Sequence, residues 1–468
     1  MRHTTLHLRP ILLIFLTLVV GHTFAGDDPN TPDASLLREQ VLVIPGEPAP
    51  PALLQVTLFT PPGPGPFPLA VMNHGATGDV PPSQQPRYRL TFSAWYFLSR
   101  GYAVALPMMR GYAGSAGMLV GTDCDDVGIG LEAARDIRAV IENLKQRPDI
   151  DGSRIIVAGQ SFGGWNTLAL GTLNVPGVRG LISFAGGMKP VSCADPADAL
   201  TKAAAYYGKA TTTPSIWFFG DNDQVFETSL WHAMYAAYTA AGGPAELVAY
   251  GAFGADSHQL LSARNGLRLW VPAVDSFLAR VGLPNVETYP AYMPSHVPPP
   301  SHYADITDVE ALPYLDGAGR AYYRKFLNTA LPRAFAVGPN GAASAMGGFD
   351  PGAQSLKLCA EHGPGCRLYA VDNDVVWTRP TPVPPPTHFA ALADVDAVPY
   401  LSSDSRAVYR QFLQMRRPRA FVVAPDGGAD GASLGADPVA YALAHCSQLH
   451  QNCRLYAVDG DVVWSSGK

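Results

Sequence analysis

The chain has 468 residues, and its 33 Lys and Arg against 39 Asp and Glu give a formal net charge of −6. Because there is no basic excess, neither a nucleic acid nor an anionic membrane surface is an expected partner. The length allows about three domains of average size.

The N-terminus has the pattern of a secretory signal. Arg2 and Arg9 precede an apolar stretch over 11–20, and Thr23-Phe24-Ala25 offers small residues for a signal peptidase. We expect a signal peptide over 1–25; an uncleaved anchor is the alternative, although the apolar run is shorter than the ~20 residues that a spanning helix needs. No later segment is long and apolar enough to span, so the mature protein is expected to be exported, either periplasmic or secreted.

After the signal, short apolar runs alternate with segments of helical spacing. Strands are predicted over 41–44, 53–59, 69–72, 102–106, 155–158, 178–184, 215–219 and 246–250. Helices are predicted over 91–99, 125–146, 162–170, 197–207, 226–241 and 263–280. Strands separated by helices imply βαβ units, and therefore a mostly parallel sheet with helices on both faces. The first two strands form an antiparallel leading edge, which completes a predicted α/β domain over 26–284.

The rest of the chain is a duplication. HYADITDVEALPYL from His302 matches HFAALADVDAVPYL from His388, and CRLYAVDNDVVW from Cys366 matches CRLYAVDGDVVW from Cys453. Each copy is predicted to be a helix, a strand, a second helix that carries a cysteine, and a hairpin. We therefore expect two small α+β repeat domains. With their proline-rich linkers, the predicted segments are 285–300 (linker), 301–379 (repeat 1), 380–386 (linker) and 387–468 (repeat 2).

The motif around which the first domain is organised is Gly159-Gln160-Ser161-Phe162-Gly163, which fits G-x-S-x-G. It lies between a predicted buried strand and an apolar helix, which is the context of a nucleophile elbow. The helix N-terminus presents backbone N–H groups to developing negative charge, and the N–H of Phe162 is the predicted oxyanion donor. On the pentapeptide alone, a Gly/Ser-rich loop is the alternative.

A serine nucleophile needs a base, and an imidazole base needs a carboxylate. Asp223 follows one predicted strand and His258 follows the next, so that with Ser161 they meet at one edge of a doubly wound sheet. Alternatives stay open at this stage. Asp221 competes for the carboxylate role, Asp223 could serve as a helix N-cap, and His258 could be a surface histidine; Asp256 is interpreted as a turn residue.

The loop after the third predicted strand, His74-Gly75-Ala76, is expected to supply a second oxyanion donor, the N–H of Ala76. His74, Arg110 and Tyr112 are further candidates for substrate binding, because they follow strands at the same sheet edge. A structural salt bridge is the alternative for Arg110.

Six cysteines, an even number in an exported chain, favour disulfides. The predicted pairs are Cys124–Cys193, Cys359–Cys366 and Cys446–Cys453, with reduced structural thiols as the alternative. No Cys-x-x-Cys or His-x-x-x-His pair argues for zinc, and we expect no metal.

Together, GQSFGG, the HGA loop, RGYAGS, FFGDNDQVF and GADSH resemble the dienelactone hydrolase-like branch of the α/β-hydrolase superfamily. There is also some similarity to serine acyl peptidases with an RGxGxS loop. The resemblance covers about 41–280 and implies an eight-stranded α/β-hydrolase core, no cofactor, and Ser161, Asp223 and His258 as the triad. The founding dienelactone hydrolases use cysteine as nucleophile, so their lactone specificity does not carry over to this serine.

The sequence therefore predicts an exported serine hydrolase that cleaves a carboxylic ester or related acyl bond, on a small-molecule or polymer-attached substrate. One alternative is an acyl peptidase-like serine hydrolase. Another is an envelope or extracellular binding protein with a vestigial hydrolase domain, in which the tail repeats bind the partner.

Overall fold

The computed structural model describes residues 31–32, 36–47, 52–76, 80–89, 91–119, 124–189 and 193–465; the predicted signal peptide lies outside the described residues. The chain forms two compact units. One contains Pro32–Met293 and the other contains Pro294–Lys468.

The first unit is built on an eight-stranded sheet. Its strands are β1 (Gln40–Pro45), β2 (Leu53–Phe59), β3 (Phe67–Asn73), β4 (Ala103–Pro107), β5 (Ile150–Gln160), β6 (Val178–Phe184), β7 (Ser215–Phe219) and β8 (Ala245–Ala249). Their order in the sheet is β1-β2-β4-β3-β5-β6-β7-β8. β2 pairs antiparallel with both β1 and β4, and the pairings from β4 through β3 to β8 are parallel. The predicted antiparallel edge and parallel core are confirmed.

Helices cover both faces of this sheet, because adjacent side chains on a buried strand point to opposite sides. They are α1 (Thr91–Ser99), α2 (Asp126–Leu144), α3 (Phe162–Gly171), α4 (Pro196–Ala210), α5 (Thr228–Ala240) and α6 (Leu267–Arg280). On β7, Trp217 packs against Tyr238 of α5, whereas the neighbouring Phe218 stacks on Phe184, which in turn contacts Trp270 of α6. The first unit thus has the α/β-hydrolase fold that the sequence predicted.

The second unit contains two antiparallel four-stranded sheets of identical order. The first copy consists of α7 (Gly317–Phe326), β9 (Arg333–Val337), β10 (Ala343–Gly347), α8 (Pro351–Ala360), β11 (Arg367–Val371) and β12 (Asp374–Val375). The second consists of α9 (Ser403–Gln414), β13 (Arg419–Val423), β14 (Ala429–Ser433), α10 (Pro438–Leu449), β15 (Arg454–Val458) and β16 (Asp461–Val462). The sheets run β10-β9-β11-β12 and β14-β13-β15-β16, so the sequence duplication is also a duplication of structure.

Each copy contains a strand that the sequence analysis missed. β10 (ASAMG) and β14 (ADGAS) lie between the first strand and the cysteine-bearing helix. These segments lack β-branched and aromatic residues, so their composition gives no strand signal. They are edge strands, held by backbone pairing to β9 and β13.

The proline-rich segments that precede the repeats pack on the repeats themselves. Val297 joins the apolar cluster of Ala334 and Val371, and Val383 packs against the corresponding cluster of the second copy. The N–H of Ser301 donates to the carbonyl of Val375 at 2.9 Å. An equivalent bond joins Thr387 to Val462 at 2.7 Å.

All six cysteines are paired, as Cys124–Cys193, Cys359–Cys366 and Cys446–Cys453. In each repeat the bond joins the second helix to the residue before the following strand. Such short cross-links suit domains whose apolar cores are small. In the part of the chain that the structure describes, no helix has the length and apolar character needed to cross a membrane.

Candidate active site

Ser161 occupies a sharp turn between β5 and α3. Its backbone angles, φ 54° and ψ −123°, lie in a region that residues other than glycine rarely adopt. The turn is possible because the residues two positions before and after Ser161, Gly159 and Gly163, have no side chain. A Cβ at Gly163 would lie 2.1 Å from the carbonyl oxygen of Asn73, and one at Gly159 would lie 2.2 Å from that of Gly163. The two glycines of G-x-S-x-G therefore allow the close backbone contacts that hold the serine at this turn.

His258 and Asp223 form a buried pair. Nδ1 of His258 lies 3.0 Å from Oδ2 of Asp223, and both residues are only 8% exposed. The other carboxylate oxygen, Oδ1, accepts hydrogen bonds from the N–H groups of Val225 and Phe226, at 2.8 and 2.9 Å. Asp223 thus caps a turn and faces the imidazole at the same time. The helix N-cap alternative is wrong, because α5 begins at Thr228 and its N-cap is Glu227.

The pair is joined to the elbow through Gln160, the residue before Ser161. Its side-chain amide donates to the backbone carbonyl of His258 at 2.8 Å. Since β5 to β8 run parallel in one sheet, Ser161, Asp223 and His258 lie beyond the carboxyl ends of β5, β7 and β8, respectively. Within the described residues, the structure brings the three predicted triad residues to one edge of the sheet.

The competing acidic residues have other positions. Asp221 is exposed, and its backbone N–H donates to the carbonyl of Gly251. Asp256 accepts hydrogen bonds from the N–H groups of His258 and Gln224, at 2.9 and 3.0 Å. These contacts favour Asp223 as the partner of His258, and they give Asp256 the turn role expected of it.

The loop after β3 approaches the serine closely. A Cβ at Gly75 would lie 3.2 Å from Cβ of Ser161 and 3.9 Å from its Oγ. Ala76, the next residue, is exposed, and Phe162 is the first residue of α3. The two predicted oxyanion donors therefore belong to segments that flank the nucleophile.

His74, the first residue of this loop, is buried. It is 1% exposed, with its ring stacked on Tyr88 at 4.9 Å between centroids. Nε2 accepts from the N–H of Met109 at 3.0 Å, and Nδ1 lies 2.7 Å from the carbonyl oxygen of Gly75. Burial lowers the pKa of His74 to about 4, so its ring is neutral at neutral pH. Both ring nitrogens already have backbone partners, which argues against the substrate-binding role predicted for it.

Arg110 is likewise engaged inside the protein. It is 2% exposed and donates to the two carboxylate oxygens of Asp136 at 2.5 and 2.8 Å, and to the carbonyl of Glu47 at 3.0 Å. The hydrogen bonds to Asp136 raise the pKa of Arg110. The salt-bridge alternative is favoured over substrate contact.

Tyr112, 8% exposed, packs edge-on against His74 at 5.0 Å and also has mainly packing contacts.

Sequence reasoning missed three contributors to this region. Gln160 holds the His258 loop, Asp136 holds Arg110, and Met109 supplies a backbone donor to His74. None has a sequence signal of its own, because each acts on a residue at least 26 positions away.

Asp126, at the start of α2, has a buried carboxylate. It is 1% exposed, and neither carboxylate oxygen has a hydrogen-bond partner among the described residues. Desolvation, with a smaller contribution from Asp125, raises the pKa of Asp126 to about 6. Its own backbone carbonyl accepts from Trp165 and Tyr207, so the helix start is fixed although the carboxylate is unpaired.

Among the described residues, no group of three or more His, Cys, Asp or Glu side chains is placed to hold a metal ion.

The first unit thus combines the sheet order of the α/β-hydrolase fold with a strained serine and a buried histidine–aspartate pair. Residues 52–243 match the family model of X-Pro dipeptidyl-peptidase (S15 family). The match covers less than half of the chain and contains the elbow and Asp223, whereas His258 lies beyond its end. The matched segment is thus similar to a peptidase family.

Solved structures with similarity include esterases and a peptidase. The acetyl xylan esterase from Paenibacillus sp. R4 is 17% identical, with 57% of this chain and 88% of that chain covered and a TM-score of 0.40. The Pyrococcus horikoshii acylaminoacyl peptidase is 18% identical, with 54% and 42% covered and a TM-score of 0.41. No curated protein sequence matches the chain significantly.

Proposed function

We propose that the first unit is a serine hydrolase that cleaves a carboxylic ester or related acyl bond, with Ser161 as nucleophile, His258 as base and Asp223 as its orienting carboxylate. The observation that carries the proposal is the buried contact between His258 and Asp223, joined through Gln160 to the strained serine. A carboxylate that accepts a hydrogen bond from Nδ1–H keeps the imidazole proton on Nδ1 and leaves Nε2 as the basic nitrogen.

In the proposed mechanism, Oγ of Ser161 attacks the acyl carbon while Nε2 of His258 takes the hydroxyl proton. The resulting oxyanion accepts hydrogen bonds from the N–H groups of Phe162 and Ala76, and the positive end of the α3 dipole stabilises it further. The imidazolium then gives its proton to the leaving group, which departs as the acyl-enzyme forms. A water activated by the same imidazole hydrolyses the acyl-enzyme and regenerates Ser161.

The test is covalent labelling of the purified, oxidised protein with a fluorophosphonate probe, followed by assays with p-nitrophenyl esters of increasing acyl length. Wild-type protein should be labelled and should hydrolyse at least the short esters, whereas Ser161→Ala should do neither. Ser153→Ala, in the same strand segment, is a matched control and should retain both activities. Folded wild-type protein that is neither labelled nor active would contradict the proposal.

A peptidase is the second candidate, and the match of 52–243 to the X-Pro dipeptidyl-peptidase family favours it. The same serine, histidine and oxyanion donors would serve amide hydrolysis, with the imidazolium protonating the leaving amine. Parallel assays with an X-Pro-p-nitroanilide and a p-nitrophenyl ester separate the two candidates. A kcat/KM for the dipeptide substrate well above that for the esters would select the peptidase.

We also propose that the protein acts outside the cytoplasm, in the periplasm or as a secreted protein. Three disulfides suit an oxidising compartment, and 1–25 has the pattern of a signal peptide. Cell fractionation with antibodies to the mature chain, and N-terminal sequencing of the product, test this. Intact protein confined to the cytoplasm would contradict it.

The duplicated tail favours a binding role beside catalysis, with an envelope or extracellular partner. Co-sedimentation of the full-length chain, and of a version ending at Met293, with isolated cell envelopes tests this role. If both versions sediment equally, the tail repeats do not bind the envelope. Sedimentation of full-length protein that the probe does not label would instead favour a binding protein with a vestigial hydrolase domain.

A further inference from the structure

The side chain of His74 makes hydrogen bonds to the backbone of two loops of the candidate site, one of which contains His74 itself. One loop is His74-Gly75-Ala76 after β3, and the other is the segment after β4 that contains Met109 and Arg110. The imidazole is enclosed between the rings of Tyr88 and Tyr112 at 4.9 and 5.0 Å. At 1% exposure it is well shielded from solvent.

The hydrogen bonds assign the tautomer of this ring. The backbone N–H of Met109 can only donate, and it points at Nε2 from 3.0 Å, so Nε2 must carry a lone pair. A neutral imidazole then has its proton on Nδ1, and this proton is donated to the carbonyl oxygen of Gly75 at 2.7 Å. Because burial lowers the pKa of His74 to about 4, the ring keeps this neutral form at neutral pH.

The carbonyl of Gly75 and the N–H of Ala76 belong to the same peptide group. That group is planar and trans, so its C=O and N–H point in opposite directions. Fixing the direction of the Gly75 carbonyl therefore also fixes the direction of the Ala76 N–H. Gly75 is itself in near contact with Ser161, since an added Cβ would lie 3.2 Å from the serine Cβ.

The segment that contains Met109, whose N–H donates to His74, is held in place by side-chain hydrogen bonds. Arg110, next to Met109 in the chain, is held by two hydrogen bonds to Asp136 on α2 and one to the carbonyl of Glu47. The hydroxyl of Ser115 accepts from the backbone of Gln55 at 2.9 Å and donates to the carbonyl of Met108 at 2.9 Å. His74 is thereby attached to a fixed part of the core.

We propose that His74 is a positioning residue that orients the Gly75–Ala76 peptide group, so that the Ala76 N–H points at the oxyanion formed on attack by Ser161. The inference rests on the proposed function. It assigns His74 no contact with substrate: the residue acts through the peptide group it holds. The predicted consequence is a selective effect on the transition state, because the donor is needed when the oxyanion forms.

The test compares His74→Asn with His74→Gln in the full-length protein. An Asn side-chain amide reaches roughly the position of Nδ1 and can still donate to the Gly75 carbonyl, whereas a Gln amide reaches roughly that of Nε2. His74→Phe keeps the ring packing without either hydrogen bond. His232→Phe, on the exposed face of α5, is the matched control for that change. Each variant is assayed with p-nitrophenyl acetate and by thermal unfolding.

We expect kcat to fall by about tenfold to several hundredfold in His74→Phe and His74→Gln, up to the effect of losing one oxyanion donor. KM should change less than twofold, and His74→Asn should recover a large part of kcat. A His74→Gln variant as active as His74→Asn, or losses that follow the melting temperature in all three, would overturn the inference. If His74→Phe does not fold, the Asn and Gln pair alone decides.

The two failures are distinguishable. A wild-type protein that is labelled by the fluorophosphonate and hydrolyses the ester, with His74 variants of unchanged kcat, removes the inference and leaves the proposed function intact. A wild type that is neither labelled nor active removes both.

Discussion

Oδ2 of Asp223 faces Nδ1 of His258 at 3.0 Å while Oδ1 of the same carboxylate accepts two backbone N–H groups. One oxygen is thus used to hold the side chain in place and the other to orient the imidazole. An asparagine at position 223 would keep an oxygen in the place of Oδ1. The contact with Nδ1 of His258 can therefore be changed with little effect on the fold.

Asp223→Asn should therefore reduce kcat by about 10³- to 10⁴-fold, because the new amide would donate to Nδ1 and shift the imidazole proton to Nε2. The melting temperature should change little. Initial rates on a p-nitrophenyl ester and the rate of fluorophosphonate labelling measure the effect. Asp221→Asn, two residues away and exposed, is the matched control. Equal losses in the two variants would argue against Asp223 as the orienting carboxylate.

Gly163→Ala should destabilise the first unit severely. Its Cβ would lie 2.1 Å from a backbone oxygen of Asn73 and 2.5 Å from that of His74, and neither can move without displacing β3. The expected result is little folded protein or a large fall in melting temperature. Gly317→Ala, where an added Cβ meets nothing within 4 Å, is the control. A Gly163→Ala protein of normal stability would show that the backbone around Ser161 can move to accommodate a Cβ.

Asp126→Asn should stabilise the protein at neutral pH. The folded-state pKa of Asp126 is raised to about 6 from 3.8, so the native state binds this proton more tightly than the unfolded chain. The contribution of the group to stability is therefore greatest below about pH 4 and is lost as the pH rises through 6. The amide cannot ionise, and its advantage should grow from pH 4 to pH 8, to at most about 3 kcal/mol.

Thermal unfolding of wild type and Asp126→Asn across this pH range measures the difference. Asp198→Asn, which removes an exposed carboxylate from the first turn of α4, is the control. A difference between Asp126→Asn and wild type that is the same at pH 4 and pH 8 would contradict the raised pKa.

Arg419→Lys should destabilise the second repeat. The buried guanidinium donates from Nη1 to the carbonyls of Phe412, Leu413 and Met415 at the end of α9, at 2.7 to 2.9 Å, and from Nε to the carbonyl of Asp459 at 3.0 Å. One ammonium group cannot reach both places, so at least one buried carbonyl loses its partner at a cost of about 1–3 kcal/mol.

Denaturant unfolding should show this loss, whereas Arg410→Lys, at an exposed position on α9, should be neutral. Arg333 makes the same set of contacts in the first repeat, so Arg333→Lys should behave like Arg419→Lys. Unchanged stability in both would mean that the guanidinium contacts contribute little.

Much of the fold was predictable because its signals are local. The strands Val178–Phe184 and Ser215–Phe219 and the helix Thr91–Ser99 have the bounds that the apolar runs indicated. The chain order of strand, helix and strand predicted the parallel sheet. β10 and β14 were missed for the opposite reason, since their pairing partners rather than their own side chains make them strands.

The sequence alone determined the elbow around Ser161, the duplication of the tail and the cysteine pair within each repeat, because each is encoded in residues a few positions apart or in direct repetition. Only the tertiary structure decided which aspartate lies beside His258, and that His74 and Arg110 are enclosed. Those outcomes depend on partners far along the chain, such as Gln160 for His258 and Met109 for His74, 98 and 35 residues away. Burial and hydrogen bonding between such residues are set by the packing of the whole sheet, which no local pattern specifies.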